Sequence, residues 1–373
     1  MLLFKDILLL NSSFMDQNSK IVVTGAAGFI GSYMLGYLNR KGYNNIIIVD
    51  EFSANDKKSN YKNKRFADFV ERGRFIEWIY HEPFQVDFVF HLGARTDTTE
   101  FDYSIHEKWN VEYSKNIWTY CVEKNVPLIY ASSAATYGDG ELGYKDAHDI
   151  VGQLKPLNPY GVSKNEFDKW ALQQEQQPPF WAGLKFFNVY GPNEYHKKRM
   201  ASVVFHSYNQ IRETGKVKLF RSHKPQYKNG EQLRDFIHVD DVAAIMYWMM
   251  EIANRESFPD AYRDVNRKLE TNLTSHVSPK QSPRTRLSSG IYNVGTGKAR
   301  TFKDLVTAIF KSLKLKPDIE FIDTPEDIRE KYQYFTEADM SKLRSAGYNE
   351  KFFSLEEGIG NYVKDFLLTH KYY

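Results

Sequence analysis

Cysteine is all but missing from this chain of 373 residues: Cys121 stands alone, so no internal disulfide framework exists. That usage fits a reducing cytoplasm. Cys121 falls in a helix-like stretch and reads as a small buried apolar residue rather than a nucleophile. An excess of one charge is missing too. The 50 Lys and Arg nearly balance 47 Asp and Glu, leaving a formal net charge of +3 and no electrostatic footprint for nucleic acid or a membrane surface. Long hydrophobic runs are also absent. The apolar stretch in residues 1–10 is too short for a bilayer and holds Lys5 and Asp6, and no small-residue cleavage site follows it. A cytoplasmic protein is expected, with no nucleic-acid, membrane or metal partner. What the chain has in quantity is ring: 25 Tyr and 26 Phe, which suit a packed enzyme with ring-binding clefts without identifying one. The length is enough for one large or two closely joined domains.

Residues 1–19 read as an N-terminal extension, with Met15 close ahead of the first strand. Short runs rich in Val, Ile, Leu or Phe follow at 21–24, 46–50, 87–92, 127–132 and 182–187, each bounded by polar or Gly residues. Helix-like stretches such as 31–41 and 114–125 separate them. Strands alternating with helices predict an α/β fold, a doubly wound parallel sheet of the Rossmann type, over residues 20–187. After Asn188 the alternation loosens, and Gly191-Pro192 marks a turn. Residues 188–373 are expected to form mainly a smaller α/β substrate domain, with 233–253 and 290–297 returning to the first domain. Residues 264–289, rich in Ser, Asn, Arg and Lys, read as an exposed insertion. No internal repeat is present.

The first strand runs into Thr24-Gly25-Ala26-Ala27-Gly28-Phe29-Ile30-Gly31. Gly25 permits the tight turn, Gly28 lets backbone approach a pyrophosphate, and Gly31 allows close helix–sheet packing. A glycine turn alone is a weak signal, but Asp50 at the end of the second strand completes the expected unit. Its carboxylate suits an adenosine ribose and repels a 2′-phosphate, favouring NAD. The basic run Lys57, Lys58, Lys62, Lys64 and Arg65 contains candidates to neutralise such a phosphate, favouring NADP. On these residues the choice stays open.

The fourth apolar run ends in Ser132-Ser133, and further on comes Tyr160-Gly161-Val162-Ser163-Lys164. A Tyr and a Lys four apart lie on one helix face. A free phenol, with a pKa near ~10, is too weakly acidic to act as a base at neutral pH. A neighbouring Lys cation and an oxidised nicotinamide ring are expected to lower it. Ser133 is placed to hydrogen-bond the same substrate oxygen. Together the three would move a proton while the cofactor moves a hydride.

With the glycine turn, the strand-end serines and the Tyr-Lys pair in place, the chain resembles the extended short-chain dehydrogenase/reductases that modify nucleotide sugars. The dehydratases of that family carry an Asp-Glu pair after the strand-end Ser or Thr. Here Ala134 and Ala135 stand there, which leaves epimerase or reductase. Residues 91–100, 131–138, 186–197, 200–203, 234–236 and 332–336 resemble the ADP-glyceromanno-heptose 6-epimerase branch, over about residues 21–365. The resemblance implies inversion at C6 through transient oxidation to a ketone and re-reduction. It implies a tightly held cofactor, NADP by way of Lys57, a nucleotide-sugar substrate, and a homo-oligomer. Two acid/base groups are implied, Tyr160 with Lys164 beside it, and Lys197. From the residues alone Lys197 would be one surface cation among Lys197, Lys198 and Arg199.

Cofactor contacts implied by position are Phe29, Ile30, Asp50, Glu51, Lys57 and Arg72, then Leu92, Gly93, Ala94, Arg95 and Thr96, then Asn110, Lys164, Val189 and Lys197. Substrate contacts implied are Ser133, Asn188, His206, Phe220, Arg234 and Tyr332. Arg234 suits a diphosphate as a planar bidentate donor, whereas Tyr332 reads equally well as core. The chain departs from the branch at Lys198 and Arg199 and across 221–232. Arg199, Arg221, Ser222 and His223 therefore sit beside the expected substrate site in unusual sequence. The rival readings are another nucleotide-sugar 4-epimerase or reductase, which would not require Lys197, and a non-catalytic NADP-binding protein.

Overall fold

The computed structural model describes residues 15–98, 100–256, 287–329 and 332–373. Seven strands form one parallel sheet: β1 (Ile21–Thr24), β2 (Ile46–Asp50), β3 (Asp68–Glu71), β4 (Phe88–His91), β5 (Leu128–Ser133), β6 (Trp181–Phe186) and β10 (Gly290–Val294), in the spatial order β10-β6-β5-β4-β1-β2-β3. The doubly wound Rossmann-type sheet is thus present, and five of its strands fall on the expected apolar runs. β3 was not legible because it is an edge strand. Of its four residues only Val70 is buried, so no apolar run marks it.

Five α-helices of this fold matter to the site: α1 (Phe29–Arg40), α2 (Tyr113–Glu123), α3 (Pro159–Leu172), α4 (Val203–Thr214) and α5 (Val239–Glu256). Successive strand residues point to opposite faces. Ile21 and Val23 join one core with Met34 and Leu38 of α1 and Ile245 and Met249 of α5, while Val22 joins a second core with Trp118 and Cys121 of α2 and Phe167 of α3. Cys121 is fully buried, and burial raises its thiol pKa. The chain leaves β1 toward β2 and β3, then returns to β4 on β1's other side. That reversal opens a crevice at the carboxyl ends of β1 and β4, where this architecture binds its ligands.

Beyond β6 lie β7 (Asn188–Tyr190), β8 (Val217–Phe220), β9 (Leu233–His238), β11 (Ala299–Thr301) and β12 (Ile319–Ile322). They make a three-stranded sheet, β11-β9-β7, and a parallel pair, β12-β8. A third core, with Val204 and Ile211 of α4 and Leu305 and Ile309 of α6 (Phe302–Ser312), lies under them. α5 packs its apolar face into the same core as α1, and β10 pairs with β6. Residues 264–286 of the expected insertion lie outside the described residues. Of its last three, Ser288 is exposed, but Leu287 is buried, and Ser289 Oγ accepts from Trp181 N at 3.1 Å. Of the expected extension, residues 1–14 lie outside the described residues. Met15 packs against the core, and Ser19 is buried in a turn closed by Asp16. No helix of the described residues is long and apolar enough to cross a membrane.

Candidate active site

The glycine turn closes tightly against the neighbouring strand end. Gly25 sits at φ +70, and a Cβ on it would lie 2.6 Å from Gly93 N; a Cβ on Gly31 would lie 2.1 Å from Gly25 O. Only hydrogen fits at either position. α1 follows with Gly28 as its cap residue, no capping side chain and no acid in its first turn. Its leading amides and positive dipole end are left for an anion. They border a cavity of about 360 Å³ lined by Gly25, Gly28, Phe29, Ile30, Gly31, Asp50, Glu51, Lys57, Arg72, the 92–97 turn, Trp109, Tyr113, His196 and Lys197. The uncapped helix end, the glycine floor and a carboxylate at the end of β2 fit a dinucleotide.

Asp50 is already engaged on both oxygens. Oδ2 accepts from Ala27 N at 2.9 Å, and Oδ1 accepts from Glu51 N at 2.7 Å and from Lys57 Nζ at 3.2 Å. Beside it Arg72 pairs with Glu51 at 2.6 Å and lays its guanidinium 4.1 Å from the Trp109 ring. The floor rests on a buried relay. His91 bonds Thr24 Oγ1 at 2.7 Å and Ser114 Oγ at 2.9 Å, and Ser114 donates onward to Asn110 O at 2.7 Å. Ser114 therefore accepts from His91 Nε2–H, and Thr24 donates to Nδ1. Burial, with Lys164 nearby, holds the imidazole pKa down at about 3, so the ring is neutral. Asn110 does not line the cavity. Its Oδ1 accepts from Arg95 N at 2.7 Å, and its Nδ2 donates to Arg95 O at 3.0 Å and Ser163 Oγ at 2.9 Å, bracing the cleft wall from below.

A second cavity, about 320 Å³, shares Phe29, Ile30 and Lys197 with the first and continues to Ser133, Tyr160, Lys164, Asn188 and Val189. α3 delivers two of these. Asn158 caps it by accepting from Gly161 N at 2.8 Å, Pro159 opens it, and Tyr160 and Lys164 follow one turn apart. Lys164 is buried, donates to Ala131 O at 2.8 Å, and burial lowers its pKa to about 8. The Tyr160 phenol departs from expectation. Burial raises its pKa, the Ser133 hydroxyl opposes that, and Asp168 adds to it. An oxidised nicotinamide carries a positive charge and would lower it further. Ser133 caps the helical turn Ala134–Tyr137, its Oγ accepting from Ala135 N at 3.1 Å, with no carboxylate at the two following positions.

Lys197 is not a surface cation. It lies half-buried in the helical turn Tyr195–Met200 and borders both cavities, its ammonium 5.4 Å from the Phe29 ring, while Lys198 and Arg199 are exposed. Burial lowers its pKa and the buried Glu194 opposes that.

The other expected substrate residues do not line these cavities. Phe220 and Tyr332 meet edge-on at 5.8 Å, and the buried Arg234 guanidinium lies 5.5 Å from Tyr332 and from Phe302. Arg234 donates to Leu233 O at 2.8 Å and to Gln333 O, and among the described residues no carboxylate pairs with it. Elsewhere His206 bonds Arg199 O at 3.3 Å, and Arg221 turns to Asp323 at 3.4 Å. Ser222 Oγ donates to Lys224 O at 2.8 Å, and His223 N donates to Tyr334 Oη at 2.9 Å. Trp109 and Tyr113 also line the first cleft, as do His196 and Met200, which belong to the runs that carry the resemblance but hold no expected role; three of the four adjoin expected residues, Asn110, Lys197 and Arg199.

Residues 21–263 match the NAD dependent epimerase/dehydratase family. The chain is 44% identical over 363 residues to a protein of Fusobacterium nucleatum named ADP-L-glycero-D-manno-heptose-6-epimerase, covering 95% of this chain and 99% of that one. A protein of the same name from Nitratidesulfovibrio vulgaris is 44% identical over 348 residues, covering 93% and 97%. Among solved structures, Helicobacter pylori ADP-L-glycero-D-manno-heptose-6-epimerase superposes with a TM-score of 0.70 at 26% identity, covering 94% of this chain and 97% of that one. The fold, the glycine turn, the Tyr-Lys helix and this likeness along nearly the whole chain converge: the protein belongs to the NAD dependent epimerase/dehydratase family.

Proposed function

We propose that this protein interconverts ADP-D-glycero-D-manno-heptose and ADP-L-glycero-D-manno-heptose by inverting C6, with Tyr160 and Lys197 as its two acid/base groups. The name carried by relatives 44% identical over nearly the full length supports the substrate. The observation that carries the two-base chemistry is that Tyr160 on α3 and Lys197 on the loop after β7 face one cavity from different elements. When bound, the nicotinamide supplies a hydride acceptor and donor, so no net redox change occurs. Tyr160, with the Ser133 hydroxyl opposing the effect of burial and Lys164 one helical turn away, would hold or release the proton of the C6 oxygen for one epimer. Lys197 would do so for the other, burial shifting it toward the neutral amine against the opposing Glu194. Arg234, buried with two carbonyl acceptors and no counter-charge among the described residues, suits the diphosphate.

The pairing of Asp50 with Lys57 supports NADP as the cofactor, since the carboxylate's charge is compensated where a 2′-phosphate would lie. A homo-oligomer belongs to the same reading and is checked by light scattering. Incubation with ADP-D-glycero-D-manno-heptose, followed by NMR at C6, should show approach to a mixture of both epimers. Turnover of a UDP- or GDP-sugar without conversion of the ADP-heptose would refute the assignment. A silent Lys197→Met would refute the second base.

A further inference from the structure

We propose that residues 371–373 act as a positioning strap for the loop that carries Lys197, tying it to α1. The inference rests on Lys197 being the second acid/base group. The loop needs holding. Gly191, Asn193 and Lys198 sit at φ +144, +77 and +50, and for the two non-glycine residues such backbone persists only where surroundings enforce it. Inside the loop, the fully buried Glu194 accepts from Ser202 Oγ at 2.7 Å and from Ser202 N. Outward, the fully buried Asn193 donates to Ser32 Oγ of α1 at 3.0 Å and accepts from Tyr373 N at 2.9 Å. Two residues on, Tyr195 donates its hydroxyl to Lys371 O at 2.8 Å and meets the Tyr372 ring edge-on at 4.9 Å. Positions 193 and 195 are thus both fixed to this segment immediately before Lys197.

The other end of the strap is seated on α1. The Tyr373 ring stacks on Tyr33 with centroids 3.8 Å apart and planes 13° apart, and the Arg40 guanidinium lies 4.6 Å from it. Lys64 donates to Tyr373 O. Gly36 makes the socket: a Cβ there would lie 2.7 Å from the Tyr373 ring. The first residues of the same helix, Phe29 and Ile30, border both cavities. The strap therefore spans from the cofactor-facing helix to the loop of the second base and sets the distance between them. A misplacement of about 1 Å in a reacting group is enough to cost up to about 100-fold in rate.

The test uses Tyr373→Ala, with Asn193→Gly as a second variant that tolerates the positive φ while deleting the side chain that joins loop, strap and α1. In the full chain, with ADP-D-glycero-D-manno-heptose as substrate, each should lower kcat by about 10- to 100-fold, while KM stays within about twofold. Combined with Lys197→Met, Tyr373→Ala should cause no further loss, because both act through one group. A normal kcat in both variants beside an impaired Lys197→Met overturns the strap alone, as does a fully additive double variant. A silent Lys197→Met overturns the two-base reading and the strap with it.

Discussion

Replacing Lys185 by Met should destabilise the protein by an amount that its surroundings set. Lys185 on β6 and Asp168 on α3 are both fully buried, with Nζ and Oδ2 2.7 Å apart. The ammonium also donates to Thr136 Oγ1 at 2.6 Å, and the carboxylate accepts from Tyr130 at 3.0 Å and Ser132 at 2.7 Å. Methionine nearly matches the lysine in length, so packing is kept while the charge is lost. Asp168 is then left in the core with two neutral hydroxyl donors and only the more distant Lys164 as counter-charge. Breaking a buried pair from one side costs about 3–5 kcal/mol. Unfolding entropy grows with chain length, so for a protein of this size that loss lowers Tm by roughly 4–6 °C. Scanning calorimetry at neutral pH measures it. Adding Asp168→Asn should return part of the loss, because it removes the orphaned charge while keeping an acceptor for Tyr130. A Tm unchanged by Lys185→Met, or a double variant less stable by the full sum of the two single losses, would refute the account of this pair as a coupled charge. The pair ties α3 to the sheet one turn beyond Lys164, so its failure should also reach the Tyr160 site.

Tyr160→Phe should lower kcat by about 10²- to 10⁴-fold with the circular dichroism spectrum unchanged; a near-normal rate would remove Tyr160 from the chemistry. Lys57→Ala should weaken NADP more than NAD in fluorescence titrations, whereas equal weakening would refute its assignment to the 2′-phosphate. Stability should fall as pH drops from about 6.5 toward 4. Burial holds His91 down at about 3 and His148, His196 and His238 at about 4, so the unfolded chain binds more protons across that window and acid favours it. Asp241, raised by burial to about 7, works the other way, binding its proton more tightly in the folded protein. His91→Asn should flatten the Tm-against-pH curve below 6.5, and an unchanged slope would refute the histidine account.

How much of this was legible in sequence depends on whether the cause is local. The strands β1, β2 and β4 are covered by helices on both faces, so they appear as unbroken apolar runs. β3, exposed along one edge, leaves no such trace. Tyr160 and Lys164 are legible because an i, i+4 spacing on a helix is enough to bring them together. The glycine turn is legible for the same reason, since Gly25 and Gly31 answer to atoms within the same short stretch or one strand away.

Lys197 is the opposite case. In sequence it is indistinguishable from Lys198 and Arg199, and nothing in their spacing says which of the three turns inward. The residues just before Lys197 are held by distant partners: Asn193 bonds Ser32 and Tyr373, residues 161 and 180 positions away, and Glu194 closes on Ser202. Only resemblance to relatives could point to it beforehand. The same holds for Arg234, whose surroundings come from β9, from Phe302 and from the segment around Tyr332. The half of the site built on one helix is therefore written locally. The half that would make it a two-base epimerase is written in contacts between distant segments, and those contacts are where a substitution far from the chemistry should be felt most.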